Sequence, residues 1–316
     1  MRKLIVLLLL SINTSAIATE NEQAASWLKK LSLSLKQLNF NTSFVVVKNN
    51  QAEPYHWFHG INESGEELEI ISLLNGPRRD VLRKGDVVSY IEPELPPYSI
   101  ATKQISGPIP TVFRGDMSLI SNSYDFVSVG RSRVLGRPAQ LIRMVSKDPH
   151  RFGHWLWLDQ ETGLLLKLAI LTRKGQLLEQ IQFTHLDITK TISDSLRQLI
   201  TAELPPVIEQ VENLQENKFT WQVSWLPTGF TKIKANRHLI ASTKQPVEFM
   251  QFNDGLIGIS VYIGKSNVKQ RAVEYVMNGA TVVLNQVVNG FEISVVGKIP
   301  SNTAKAIADS VIQSQP

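Results

Sequence analysis

The residues of this chain best able to do chemistry are few, and their spacing works against them. Gly264-Lys265-Ser266 has the ending of a phosphate-binding loop, in which backbone N–H groups cradle phosphates and the lysine neutralises them. Such a loop needs a glycine five residues before its second glycine, where Ile259 stands, and the intervening residues alternate like a strand, so nucleotide binding is not expected. His56 with His59, or His150 with His154, offer imidazoles of the metal-ligating type. They lie among aromatic residues with no cysteine nearby, and read as packing side chains; no metal is expected. A serine nucleophile needs a tight turn with glycine on both sides, and Gly130-Arg131-Ser132-Arg133-Val134 lacks the second one. Paired carboxylates at Glu66 and Glu67, or Glu92 and Glu94, sit in turn or strand-edge contexts and read as solvated. No catalytic residue and no cofactor can be assigned, and the chain is not expected to be an enzyme.

The elements that would position a site are more informative. FGHWLWLDQETGLLLKLAIL, residues 152–171, reads as two strands around a polar turn, with Gly163 free to take the left-handed conformation. Strand alternation puts Trp155 and Trp157 on one face and Leu156 and Leu158 on the other, while the second strand is apolar on both. An antiparallel sheet usually keeps one face in water, so this hairpin needs two covers. Helices of the chain would supply one; more chain, a partner or a lipid would supply the other. An acyl chain of about a dozen carbons offers on the order of 10 kcal/mol gross at ~0.8 kcal/mol per methylene, before ordering costs. Ordinary core packing is the competing reading.

Upstream, Ala24, Trp27, Leu28, Leu31, Leu35 and Leu38 recur at helical spacing over Glu22 to Leu38. From Phe40 to Ile188 short alternating runs separated by Asn-Gly and Lys-Gly-Asp turns predict an antiparallel meander. A helical stretch is expected next, near Thr191 to Ala202, then two prolines and an acidic segment that marks a domain boundary. Beyond it lie further hairpins and a helix near Asn302 to Gln313.

The chain opens with Arg2 and Lys3, apolar Leu4 to Leu10, and Ala16-Ile17-Ala18, the pattern of a secretory signal peptide cleaved after Ala18. The chain holds 0 cysteines, which excludes disulfides, thiolate metal sites and a lipoprotein anchor. A bacterial periplasm is the expected compartment. Charge is uneven: Thr19 to Lys218 carries 22 basic and 23 acidic residues, whereas Phe219 to Pro316 carries 9 and 5. The basic tail third suits an acidic protein segment or anionic lipid; no Lys/Arg run of nucleic-acid-binding density occurs.

Several long blocks carry a resemblance in order along the chain: GPRRDVLRKGDVVSYIEPELPPYSI, YDFVSVGRSRVLGRPAQLIRMVSKD, WLWLDQETGLLLKLAIL and WLPTGF. They resemble the RseB/MucB family of periplasmic sigma-E regulators. The W-x-D-x-x-T-G-L element, Trp157, Asp159, Thr162, Gly163 and Leu164, is also similar to LolA-type lipoprotein carriers. The resemblance implies an α+β protein: an N-terminal unclosed antiparallel β half-barrel with inner helices, LolA-like, over residues 19–190, a linker over 191–218, and a smaller C-terminal α/β domain over 219–316. It further implies binding to the periplasmic part of the anti-sigma factor RseA or MucA, shielding it from the site-1 protease DegS, and release by lipid, lipopolysaccharide-like or lipoprotein signals. A periplasmic lipoprotein carrier is the alternative, and a homo-oligomeric state is left open.

Within that frame Trp155, Trp157, Phe113 and Tyr124 are expected to line the apolar pocket. Trp225, Leu226, Pro227, Gly229 and Phe230 are expected to organise the partner-binding domain, and Arg78 and Arg79 to form a basic rim facing lipid phosphate or the other domain.

Overall fold

Period 3.6 governs the chain as far as Gln37 and period two governs most of the remainder, and the computed structural model obeys both. It describes residues 6–208, 219–239, 246–268 and 271–314, with side chains from residue 22 onward except that of residue 271. Helix α1 (Val6–Gln37) leads, although the basic start of the expected signal peptide, Arg2 and Lys3, lies outside the described residues. Among the described residues no helix is long and apolar enough to cross a membrane.

Eleven strands then form one antiparallel sheet. They are β1 (Asn39–Lys48), β2 (Gln51–Ile61), β3 (Glu67–Leu73), β4 (Arg79–Lys84), β5 (Val87–Ile91), β6 (Tyr98–Ala101), β7 (Tyr124–Val134), β8 (Arg137–Ser146), β9 (Gly153–Asp159), β10 (Leu165–Leu171) and β11 (Leu177–Thr189). Their order, β6-β5-β4-β3-β2-β1-β11-β10-β9-β8-β7, is two meanders joined where β1 pairs with β11. β6 and β7 end the order without pairing to each other, which leaves the half-barrel unclosed.

Helix α1 lies on the inner face, where Leu28, Leu31 and Leu35 join Phe44, Trp57, Ile142, Leu156 and Phe183 in one buried cluster. Two 3-10 turns, Thr111–Arg114 and Met117–Ile120, add Phe113 and Ile120 to it. The turn after β9 locks the helix in place. Asp159 accepts hydrogen bonds from the Thr162 backbone N–H (2.8 Å) and hydroxyl (3.0 Å), and Lys30 donates to the carbonyls of Gln160 and Glu161 at 2.9 Å each. Gly163 sits at φ +82° with its α-carbon so near Lys30 that a Cβ would lie 2.6 Å from Lys30 Cγ. Close approach to α1, together with positive φ, therefore requires glycine here.

The outer face is covered in two ways. Helix α2 (Asp194–Thr201), capped by Ser193, lays Leu196 and Leu199 over Leu68, Phe58, Ile70 and Leu82. Ser99 of β6 then bridges Val207 in parallel, and its N–H donates to the Pro206 carbonyl at 2.9 Å. Residues 191–208, expected as linker, are thus built into the first unit; the rest of that expected linker, 209–218, lies outside the described residues.

The second unit is a six-stranded antiparallel sheet of β13 (Thr231–Leu239), β14 (Pro246–Asn253), β15 (Gly258–Lys265), β16 (Arg271–Asn278), β17 (Thr281–Val288) and β18 (Phe291–Gly297), ordered β13-β14-β15-β18-β17-β16. Helix α3 (Ser301–Asp309) buries Ala304, Ile307 and Ala308. The helix expected to run to Gln313 stops at Ser310. Val311, Ile312 and Gln313 form β19 and pair with β12 (Trp221–Val223), a use of β-branched residues that strand pairing favours over helix. Gly264 and Lys265 end strand β15, with Ser266 just beyond it.

Candidate functional site at the domain seam

Side-chain contacts join the units at several points, two of them ion pairs, and cavities lie between them. Arg151, in the turn before β9, is fully buried. Its Nε donates to Asp254 Oδ2 at 2.7 Å, and both side chains are 0% exposed. It also donates to the Asp148 carboxylate and to the Thr228 carbonyl, and its guanidinium stacks 4.8 Å from the centroid of Phe230. Asp254 is held in turn by the Leu256 and Ile257 N–H groups at 3.0 and 2.8 Å, a consequence of the tight Asn-Asp-Gly turn between β14 and β15. A buried charge survives only when paired and hydrogen-bonded, and this arginine fills both needs with groups from both units.

The WLPTGF block is part of the same joint. Trp225 meets the His150 ring edge-on at 5.0 Å, Leu226 packs half-buried against the core, and Pro227 is buried. Gly229 has φ +91°, and a Cβ there would stand 2.6 Å from Ser123 Oγ. Of Trp225, Leu226, Pro227, Gly229 and Phe230, expected to organise a partner-binding domain, Trp225, Gly229 and Phe230 meet the half-barrel, and Leu226 and Pro227 lie between them in the same block.

The second node is Lys298 Nζ to Glu179 Oε1, 2.6 Å across the seam. At the far end Asn49 Nδ2 donates to the Met277 carbonyl at 3.2 Å, while the Gly279 N–H donates to Asn49 Oδ1 at 3.1 Å. Cavities of about 340 and 310 Å³ adjoin here, with Lys298, Glu179, Gly107 and Pro108 lining both. The first has apolar walls from Leu168, Ile170 and Ile181 of the half-barrel and Leu256, Ile257 and Val296 of the second unit. His154 also lines it; burial, and then the positive charge of Lys298, hold that imidazole down at about 3, so it is neutral, and its Nδ1 has no hydrogen-bond partner. A groove of about 630 Å³ between α1 and the 3-10 turns, lined by Leu28, Leu33, Met117, Phe126, Lys29 and Lys36, is separate.

The four residues expected to share one apolar pocket do not meet. Phe113 and Tyr124 are buried inside the half-barrel, where the Tyr124 ring lies 6.0 Å from His154. Burial, and then the Asp254 carboxylate, push its phenol far above the ordinary value. Trp155 and Trp157 are half-buried on the opposite, outer face, as alternation with His154 and Leu156 demands. There Arg143 stacks 5.2 Å over Trp155 and Lys167 4.8 Å over Trp157, with the two indoles 6.1 Å apart. The outer face of the hairpin therefore carries a ladder of its two indoles with Lys167 and, from β8, Arg143. Arg78 is exposed and tied to Asp80 at 2.6 Å, whereas Arg79 stands at the mouth of the second cavity beside Tyr55.

His59, Glu67 and Glu69 converge closely enough to suggest a metal site. Both carboxylates are already occupied: Arg83 reaches Glu67 at 2.7 Å and Glu69 at 3.1 Å, Arg114 reaches Glu67 at 2.9 Å and also pairs with Glu69, and Trp57 donates to Glu69 at 2.9 Å. Burial raises the Glu67 carboxyl, but the His59 hydrogen bond and the two guanidiniums outweigh it and hold it down at about 2. Two cations in the cluster disfavour a third, so it is a structural ion network.

Arg151, Asp254, Glu179 and Lys298 carry the seam, and none was singled out from sequence. The hairpins beyond the domain boundary were legible, but no local signal ties Asp254 to an arginine 103 residues earlier.

Residues 23–208 match the MucB/RseB N-terminal domain and residues 215–312 the MucB/RseB C-terminal domain. The chain is 30% identical over 302 residues to the sigma-E factor regulatory protein RseB of Escherichia coli K12, covering 95% of this chain and 94% of that one. It is 31% identical over 315 residues to the sigma factor AlgU regulatory protein MucB of Pseudomonas aeruginosa, covering 98% of each. Among solved structures, the P. aeruginosa MucA/MucB complex superposes with a TM-score of 0.74 at 29% identity, over 93% of this chain and 100% of that one. A structure of MucB gives 0.62 at 29% identity, over 93% and 98%.

Proposed function

Since this chain belongs to the MucB/RseB family, we propose that it is a periplasmic negative regulator of the sigma-E envelope stress response that binds the periplasmic part of its anti-sigma factor and shields it from the site-1 protease. The observation that carries this reading is the superposition of both units together on MucB in its complex with MucA. The export signal ending at Ala18 is removed, and the mature protein works by binding, without catalysis. A lipid or lipoprotein signal entering the seam releases the client. The seam cavity of about 340 Å³ has apolar walls from both units, and a lipid too large for that closed volume binds the opened seam better and shifts the population towards it. A carrier of lipoproteins is disfavoured by the same joint: the second unit is fastened to the half-barrel through the fully buried Arg151 and Asp254 pair, a costly feature that a shuttle does not need.

The test mixes the mature protein with the anti-sigma periplasmic fragment and the protease. Stoichiometric protection of the fragment is expected. Extraction of a lipoprotein from membranes with no protection would replace the regulator with the carrier.

A further inference from the structure

The two charged nodes of the seam differ in a way that assigns them different jobs. Arg151 and Asp254 are both 0% exposed, so separating them leaves buried ions on both sides. Lys298 is 40% exposed while its partner Glu179 is 5% exposed. The lysine can leave for water or for another anion along its flexible stem, and the glutamate cannot follow. The lysine therefore gives up Glu179 when another anion compensates for the bond it leaves, and the cost of the separation falls on the buried carboxylate.

We propose that the Lys298–Glu179 pair is a displaceable gate between the two seam cavities, opened when the headgroup of an alkyl phosphate takes Lys298 from Glu179. This rests on the lipid-release reading above and adds the residues that read the ligand. Each cavity alone is at the lower end of small-molecule pockets, about 300–1,000 Å³, and the gate is the partition between them. The alkyl chain takes the apolar walls shared by both units. Once Lys298 turns to the phosphate, Glu179 is a buried carboxylate without its cation, and the seam loosens at this end while Arg151 holds the other.

The test uses the mature chain with monododecyl phosphate, dodecyl maltoside and inorganic phosphate as probes, below their micellar concentrations, by titration calorimetry. The native chain has 0 cysteines, so spin labels at Leu177→Cys and Val276→Cys, exposed positions in the two units, report seam opening without background. Dodecyl phosphate is expected to bind about tenfold tighter than dodecyl maltoside, the value of one charge-assisted hydrogen bond, and to lengthen the label distance. Glu179→Gln is expected to strengthen that preference and Lys298→Gln to abolish it. These opposite signs separate a gate from mere packing, which would weaken binding in both variants. Shifts of the same sign, or an unchanged label distance at saturation, overturn the gate while leaving lipid binding intact. If neither amphiphile binds wild-type protein, the lipid-release reading itself fails. If inorganic phosphate alone binds as tightly, the site reads a free anion and the alkyl assignment is wrong.

Discussion

Arg151→Met is the most direct perturbation of the joint between the units. It keeps the length of the side chain and removes the charge, so that Asp254, 0% exposed, is left with two backbone N–H donors and no cation. The Thr228 carbonyl loses a donor and the Phe230 ring its stacked guanidinium. Breaking a buried pair by removing one partner costs about 3–5 kcal/mol, a large part of the ~5–15 kcal/mol that holds a typical protein folded. The loss falls on the joint, because neither unit's own sheet is touched. Wild-type protein should unfold in one calorimetric transition, and Arg151→Met in two, with the six-stranded unit no longer supported by the half-barrel. Asp254→Asn should show the same splitting, and the double variant should cost less than the sum of the two singles by about 1–3 kcal/mol, the coupling expected of groups in contact. A single transition at the wild-type midpoint in Arg151→Met would refute the reasoning.

Other outcomes rest on the same geometry. Gly229→Ala combines φ +91° with a Cβ 2.6 Å from Ser123 Oγ, and should destabilise by about 2 kcal/mol or more in urea titrations. Gly175→Ala, at φ +82° with nothing within 4 Å, should cost about 1 kcal/mol and leave the joint intact. His154 titrates at about 3 in the folded protein against 6.5 ordinarily, so its contribution is complete above 6.5 and is lost as pH falls from 6.5 towards 3. Stability over that window should drop by up to about 1.4 kcal/mol per pH unit, and His154→Leu should flatten the slope; equal slopes in both proteins would contradict it. Trp157→Ala removes the platform under Lys167 on the outer face. It should cost about 1–2 kcal/mol of stability and leave dodecyl phosphate affinity unchanged, since the seam cavities lie on the inner face.

The local sequence determined much of this protein. Alternation and turn residues specify the strands of both sheets, and the spacing of Leu28, Leu31 and Leu35 specifies the buried stripe of α1. The apolar character of 152–171 announced the hairpin, but the second cover expected from more chain, a partner or a lipid is only two cations over half-buried indoles, and the ordered blocks announced the family. Alternation even placed Trp155 and Trp157 opposite Leu156, yet it could not say which face turns inward. That choice belongs to the closure of β1 on β11 and to the docking of α1 through Lys30 and Gly163, contacts between residues more than a hundred positions apart. The same holds for the seam. WLPTGF was visible as a block, but its partners Ser123, His150 and Arg151 are specified only by how two finished sheets meet. Periodicity is a property of neighbours along the chain and survives in the sequence; the partner of a buried charge is a property of neighbours in space, and exists only once the domains have docked.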